Sequence, residues 1–174
     1  KSCVPGKFSS VPNATSCTQC TLGQYQDLGG QGSCLPVRTC QQGTFVAVSS
    51  TAARDKRCDA CAPGHFSSSP NAPICTACAV GQYQSQAGKS SCAQCGVGTF
   101  GKAGDTGSRS ETSHCLQCAN DTFNAALGAV ECQPCALCPN GHARSLCGGG
   151  SEGECVKCAL GSAGENGVCE KCAA

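Results

Sequence analysis

The chain has no methionine and no tryptophan, and only five Phe and two Tyr stand among its 174 residues. So little large apolar surface cannot offset an ordering entropy of roughly 1–2 kcal/mol per residue. A fold held by a conventional hydrophobic core is excluded, and cross-links must replace that core. Charge is equally sparse: 12 Lys and Arg against 11 Asp and Glu leave a net +1. No basic stripe suits nucleic acid, and no charged block forms a tail. No apolar run approaches the roughly 18 residues of a membrane span. No Ser/His/Asp set or carboxylate pair stands out, and His65, His114 and His142 are far apart with no ligand partner at i+4. His65 occupies the position that Lys7 holds earlier in the chain and reads as a surface residue. The glycine-rich stretch 148–154 lacks the Lys-Ser/Thr of a phosphate loop and reads as a flexible loop. These absences predict no enzyme, no cofactor and no nucleic-acid partner.

Cysteine is what the chain has instead, 21 of 174 residues, the range in which disulfides or metals replace a core. Every aromatic stands five positions after a cysteine: Phe8, Tyr25, Phe45, Phe66, Tyr83, Phe100 and Phe123 follow Cys3, Cys20, Cys40, Cys61, Cys78, Cys95 and Cys118. In all but the last, a glycine occupies the third position. An aromatic confined to one motif marks a repeated unit, Cys-x-x-Gly-x-(Phe/Tyr), a polar stretch, then a closing cysteine. Repeats open at those seven cysteines and again at Cys138 and Cys158. Above the unit lies a longer period, since 7–26 aligns with 65–84 at an offset of 58 with 13 of 20 residues identical. The chain divides into super-repeats 1–60, 61–117 and 118–174, the last degenerate.

The glycine is expected to take a positive φ and turn the chain. The aromatic is expected to stand over the nearby bridge and supply most of the buried area. In the seventh repeat Asn120-Asp121 replaces the glycine, and both residue types tolerate the left-handed region. Pro12-Asn13-Ala14 and Pro70-Asn71-Ala72 read as loop tips. Joining each opener to its closer gives Cys3–Cys17, Cys20–Cys34, Cys40–Cys58, Cys61–Cys75, Cys78–Cys92, Cys95–Cys115, Cys118–Cys132, Cys135–Cys147, Cys138–Cys155 and Cys158–Cys169, although many other connectivities are open to 21 cysteines. Cys172 remains, placed as the opener of a further repeat, as in a segment cut from a longer array. A bridge closing a loop of about 15 residues contributes roughly 3 kcal/mol in the chain-entropy view. The fold class expected is small and disulfide-rich: an elongated tandem array of short β-hairpin and loop modules with little helix, each module touching only its neighbours.

The string from Cys3 through Phe8 and Cys17 to Cys20 resembles the cysteine-rich repeat of ephrin-receptor-like modules, relatives of tumour-necrosis-factor-receptor modules. The resemblance covers residues 3–135, and Cys135–Cys155 looks more like the two-bridge crossed module of the receptor family. It implies an extracellular or cell-surface disulfide-stapled array, of a kind also found in secreted animal proteins and in protist or algal surface proteins. It does not imply a ligand, because one module serves both receptors and fibres.

Nine Cys-x-x-Cys pairs also invite zinc. Zinc, however, would leave the Gly-x-aromatic unexplained, and the unbroken alternation of closers and openers favours disulfides. Two sequons, at Asn13 and Asn120, offer N-glycan sites in a secreted chain. The long loops 41–57 and 96–114 carry Arg54, Lys56, Arg57, Lys102 and Arg109, expected lateral contacts along a rod, against the plainer reading of solvated loops. The function expected is a structural glycoprotein of an extracellular fibre or coat, partnered by copies of itself or other surface proteins. The alternative is a receptor or adhesion ectodomain, weakened because every aromatic is committed to the repeat.

Overall fold

Each repeat turns where its third residue enters the left-handed region, at Gly6, Gly23, Gly43, Gly64, Gly81, Gly98 and Gly141 with φ between 80° and 86°. Asp121 takes that role in the seventh repeat with φ 61°. An L side chain there costs about 1–2 kcal/mol, which is why glycine dominates the position. The turn folds the next two residues back onto the segment after the closing cysteine, and a two-stranded antiparallel ribbon results. The computed structural model of the protein describes residues 2–107, 110–159, 162–165 and 168–171.

The ribbons run in chain order and are isolated from one another as sheets. They are β1 (Lys7–Phe8) with β2 (Thr18–Gln19), β3 (Gln24–Tyr25) with β4 (Leu35–Pro36), and β5 (Thr44–Val48) with β6 (Arg57–Ala60). Next come β7 (His65–Phe66) with β8 (Thr76–Ala77), β9 (Gln82–Tyr83) with β10 (Ala93–Gln94), and β11 (Thr99–Gly101) with β12 (Cys115–Gln117). The last are β13 (Thr122–Phe123) with β14 (Gln133–Pro134), β15 (His142–Ser145) with β16 (Glu154–Lys157), and β17 (Ser162–Glu165) with β18 (Val168–Lys171). The longest ribbon of the first half, β5–β6, carries a bulge between Val46 and Val48. The one helix among the described residues, α1 (Glu111–His114), lies in the long loop of the sixth repeat. The structure is a small disulfide-rich tandem array with little helix.

Ten bridges staple it. Cys3–Cys17, Cys20–Cys34, Cys61–Cys75, Cys78–Cys92 and Cys118–Cys132 each span 14 positions. Cys40–Cys58 and Cys95–Cys115 close the long loops. Cys135–Cys147, Cys138–Cys155 and Cys158–Cys169 complete the set. In the first six repeats the buried centre is the opening half-cystine, with Cys40, Cys61, Cys78 and Cys95 at 1% exposure or less. The opening half-cystines are more enclosed than the aromatic rings in these six layers. Six of the aromatics are half-buried and Phe123 is buried.

The chain folds as two compact units, one formed by Lys1–Thr76 with Gln86–Ser91, the other by Ala77–Ser85 with Cys92–Ala174.

Candidate functional site: the interface between repeats

Short ribbons leave many backbone groups without a partner, and an unpaired buried amide costs about 1–3 kcal/mol. The chain satisfies them across repeats. The opening cysteine's C=O accepts from a loop N–H of the next repeat: Gly30 to Cys3 at 2.8 Å, Asn71 to Cys40 at 2.9 Å, Gly88 to Cys61, Gly107 to Cys78 and Gly128 to Cys95 at 2.8 Å. Each of those loop donors has a positive φ, from 56° to 75°. The turn glycine's N–H donates to the residue after the next aromatic, as in Gly6 to Gln26, Gly43 to Ser67 and Gly98 to Asn124. That same post-aromatic residue donates its own N–H one repeat further along. Examples are Ser9 to Gln31, Gln26 to Ala52, Val46 to Ala72, Ser67 to Lys89 and Asn124 to Gly149. Three such bonds contribute about 1.5–4.5 kcal/mol per interface.

Packing reaches beyond the neighbour. A Cβ built on Gly43 would strike the Gly88 carbonyl, one on Gly81 the Gly128 carbonyl, and one on Gly98 would meet Gly149 backbone at 3.0 Å. Gly6 lies 3.4 Å from the backbone of Ala52 and Ala53 by the same measure. Each of these loops belongs to the repeat two further on, so the expectation of contacts between neighbours alone is corrected. The turn glycine is thus needed twice, for its φ and for a backbone that passes over it. Gly23 has the φ, 85°, but nothing within 4 Å. Its repeat is followed by a five-residue linker from Cys34 to Cys40, where the other links of the first seven repeats have two. There the Gly23 C=O takes the Val37 N–H at 2.9 Å, whereas Gly6, Gly43, Gly81 and Gly98 take the N–H of the next opening cysteine. Cys40 N–H is thereby released and donates to Asn71 Oδ1 at 3.0 Å, which also accepts from Lys56 Nζ at 2.8 Å.

The junction between the fifth and sixth repeats is built differently. Gly81 N–H donates to a side chain, His114 Nε2, at 3.0 Å. His114 is fully buried, and its Nδ1 lies 3.1 Å from Asp105 Oδ2. The residue after the aromatic is Gly101, and a Cβ there would collide with Gly81 N and stand 3.1 Å from His114 Nε2. Close by, burial pushes the Tyr83 hydroxyl pKa up, and a hydrogen bond to the Glu111 carboxylate and its charge push it further.

The long-loop cations have varied surroundings. Lys56 is tied to Asn71, Arg57 pairs with Asp59 at 3.0 Å, and the Arg54 backbone closes a tight turn with Thr51. Lys102 is exposed and meets α1 through its N–H, which donates to the His114 C=O at 3.1 Å. Arg109 and Cys172 lie outside the described residues. Sequence reading missed the pair Arg38–Asp55, joined side chain to side chain at 2.6 Å and by the Arg38 N–H to Asp55 Oδ1 at 3.0 Å. Burial raises the Asp55 pKa, but the guanidinium hydrogen bond, two backbone N–H donors and the Arg38 charge outweigh it and hold it below 3.8. Asn13 and Asn120 are exposed, Asn13 with φ 54° at its loop tip. His65, expected on the surface, is half-buried, with Nδ1 shielded and lacking a partner among the described residues. Its position is exposed at Lys7 and Gln24 but half-buried from the third repeat to the sixth, as stacking closes round it.

The described depressions are open to solvent. One of about 440 Å³ is bordered by Gln41, Gln42, Pro70 and Gly88–Ser90. Among the described residues no group of three His, Cys, Asp or Glu is placed to hold a metal ion, and no helix is long and apolar enough to cross a membrane.

Fold and interface together define a disulfide-stapled array of stacked cysteine-rich repeats. Residues 64–113 match the family model described as tyrosine-protein kinase ephrin type A/B receptor-like, and the chain carries ephrin-receptor-like cysteine-rich repeats. A comparison with curated proteins finds no match. Extensive disulfide bonding and this type of repeat indicate an extracellular or secreted domain, of a class that is typically non-catalytic.

Proposed function

We propose that the chain is a structural segment of an extracellular fibre or coat glycoprotein, without catalytic activity. The interface carries this reading: it is built mainly from backbone groups that recur from repeat to repeat, so repeats add to one another with little change in chemistry. Contacts of this head-to-tail kind generate open filaments when the rotation does not close. N-glycans on Asn13 and Asn120 would clothe the loops, and Arg54, Lys56, Arg57, Lys102 and Arg109 would set lateral register. Exposed charge of this sort contributes little energy and weakens with salt.

The test is electron microscopy and sedimentation of the oxidised, secreted chain over a rising concentration series. Filaments or ordered lateral arrays are expected, with lateral association reduced in an Arg54→Ser, Lys102→Ser variant. A protein that remains monomeric throughout would remove the fibre reading and favour an adhesion or receptor ectodomain.

A further inference from the structure

We infer that His114 makes the junction between the fifth and sixth repeats responsive to acid. At Gly6, Gly43 and Gly98 the turn glycine donates to a backbone carbonyl, of Gln26, Ser67 and Asn124, which takes up no proton in water. At Gly81 the acceptor is an imidazole nitrogen at 3.0 Å. A nitrogen that accepts carries no hydrogen, so the neutral ring keeps its proton on Nδ1 and donates it to Asp105 Oδ2 at 3.1 Å. A proton taken from solvent binds at Nε2, the one ring nitrogen with a free lone pair. The new N–H then faces the Gly81 N–H, and the bond becomes a donor-donor contact.

The surroundings leave few ways to absorb this. The ring is fully buried, so water does not replace the lost partner without local opening. Asp105, from the loop, keeps the Nδ1 bond in both states and meets the added charge. On α1 itself Glu111 takes the Tyr83 hydroxyl of β9, and Lys102, after β11, meets the His114 C=O through its backbone N–H. Among the described residues no carboxylate pairs with Nε2. The Gly101 backbone is pressed against Gly81 and the ring. The added proton therefore releases Gly81 while the Gly107 N–H to Cys78 C=O bond at 2.8 Å remains. The joint loosens on one side, independently of what the array assembles into.

NMR of the oxidised chain from about pH 8 to about pH 5 tests this. The His114 ring and the Gly81 amide are followed together, with the Gly98 amide as internal control. As His114 takes its proton, Gly81 protection should fall by about tenfold, with the same midpoint as the ring. Gly98, bonded to a carbonyl, should stay protected. His114→Gln offers an acceptor oxygen that gains no proton and should give flat Gly81 protection. If that variant does not fold, the Gly81 to Gly98 comparison in the native chain still decides. Unchanged Gly81 protection while His114 titrates, a ring that takes no proton in this range, or a parallel fall at Gly98 would each overturn the inference.

Discussion

Replacing Gly43 by alanine separates the two demands placed on the turn glycine. Its φ of 81° costs an L residue about 1–2 kcal/mol. The new Cβ would also strike the Gly88 carbonyl, which is backbone and not the yielding end of a side chain. Relieving such overpacking costs a further 1–3 kcal/mol or so, for a total of about 2–5 kcal/mol. Gly23→Ala is the matched control, with φ 85° but nothing within 4 Å, so only the first cost of about 1–2 kcal/mol applies. Denaturant unfolding of both variants with bridges intact, together with exchange at the Gly88 amide, reads the difference. Gly43→Ala should be the less stable of the two and should expose Gly88. Equal losses would refute the argument that a loop two repeats away presses on this glycine.

Asn71→Gly keeps the positive φ and removes only the Oδ1 acceptor, so it should cost about 1 kcal/mol and raise exchange at the Cys40 amide; Asn71→Ala adds strain of about 1–2 kcal/mol. Asp55 should titrate below 3.8, with its stabilisation complete above the ordinary carboxylate range and lost as pH falls through its folded value; Arg38→Ala should bring that titration upward. An unshifted Asp55 in the native chain would remove the Arg38 pair from solution.

The repeat and its turns were legible because they are local. Cysteine spacing, the glycine three positions on and the Asn-Ala loop tips each express a preference of a few residues, and Asp121 substituting for glycine follows from the same rule. Two features escaped because they depend on how successive repeats pack on one another. Whether a ring at Phe45 or Phe66 is enclosed depends on what the neighbouring layers bring to it, and the half-cystines proved to be the buried centre. The contact of Gly43 with Gly88 requires a stacking path that no single repeat encodes. Asp55, in the long loop 41–57, pairs with Arg38 of the preceding linker, a contact that cysteine spacing does not mark. One hidden feature had a visible mark: Gly101 is the only glycine to follow a repeat aromatic. It stands in the repeat whose loop ends in His114.

The account rests on repeats that are stacked by backbone hydrogen bonds and not merely strung together by bridges. Amide exchange of the oxidised chain at neutral pH tests this directly. Gly30, Asn71, Gly88, Gly107 and Gly128 lie in surface loops, yet each donates to an opening cysteine of the preceding repeat. They should be protected by about a hundredfold or more over the freely exposed amides of the same loops. Exchange at the rate of unstructured peptide at these five amides, with all ten bridges intact, would show independent beads on a chain and contradict the stacked array.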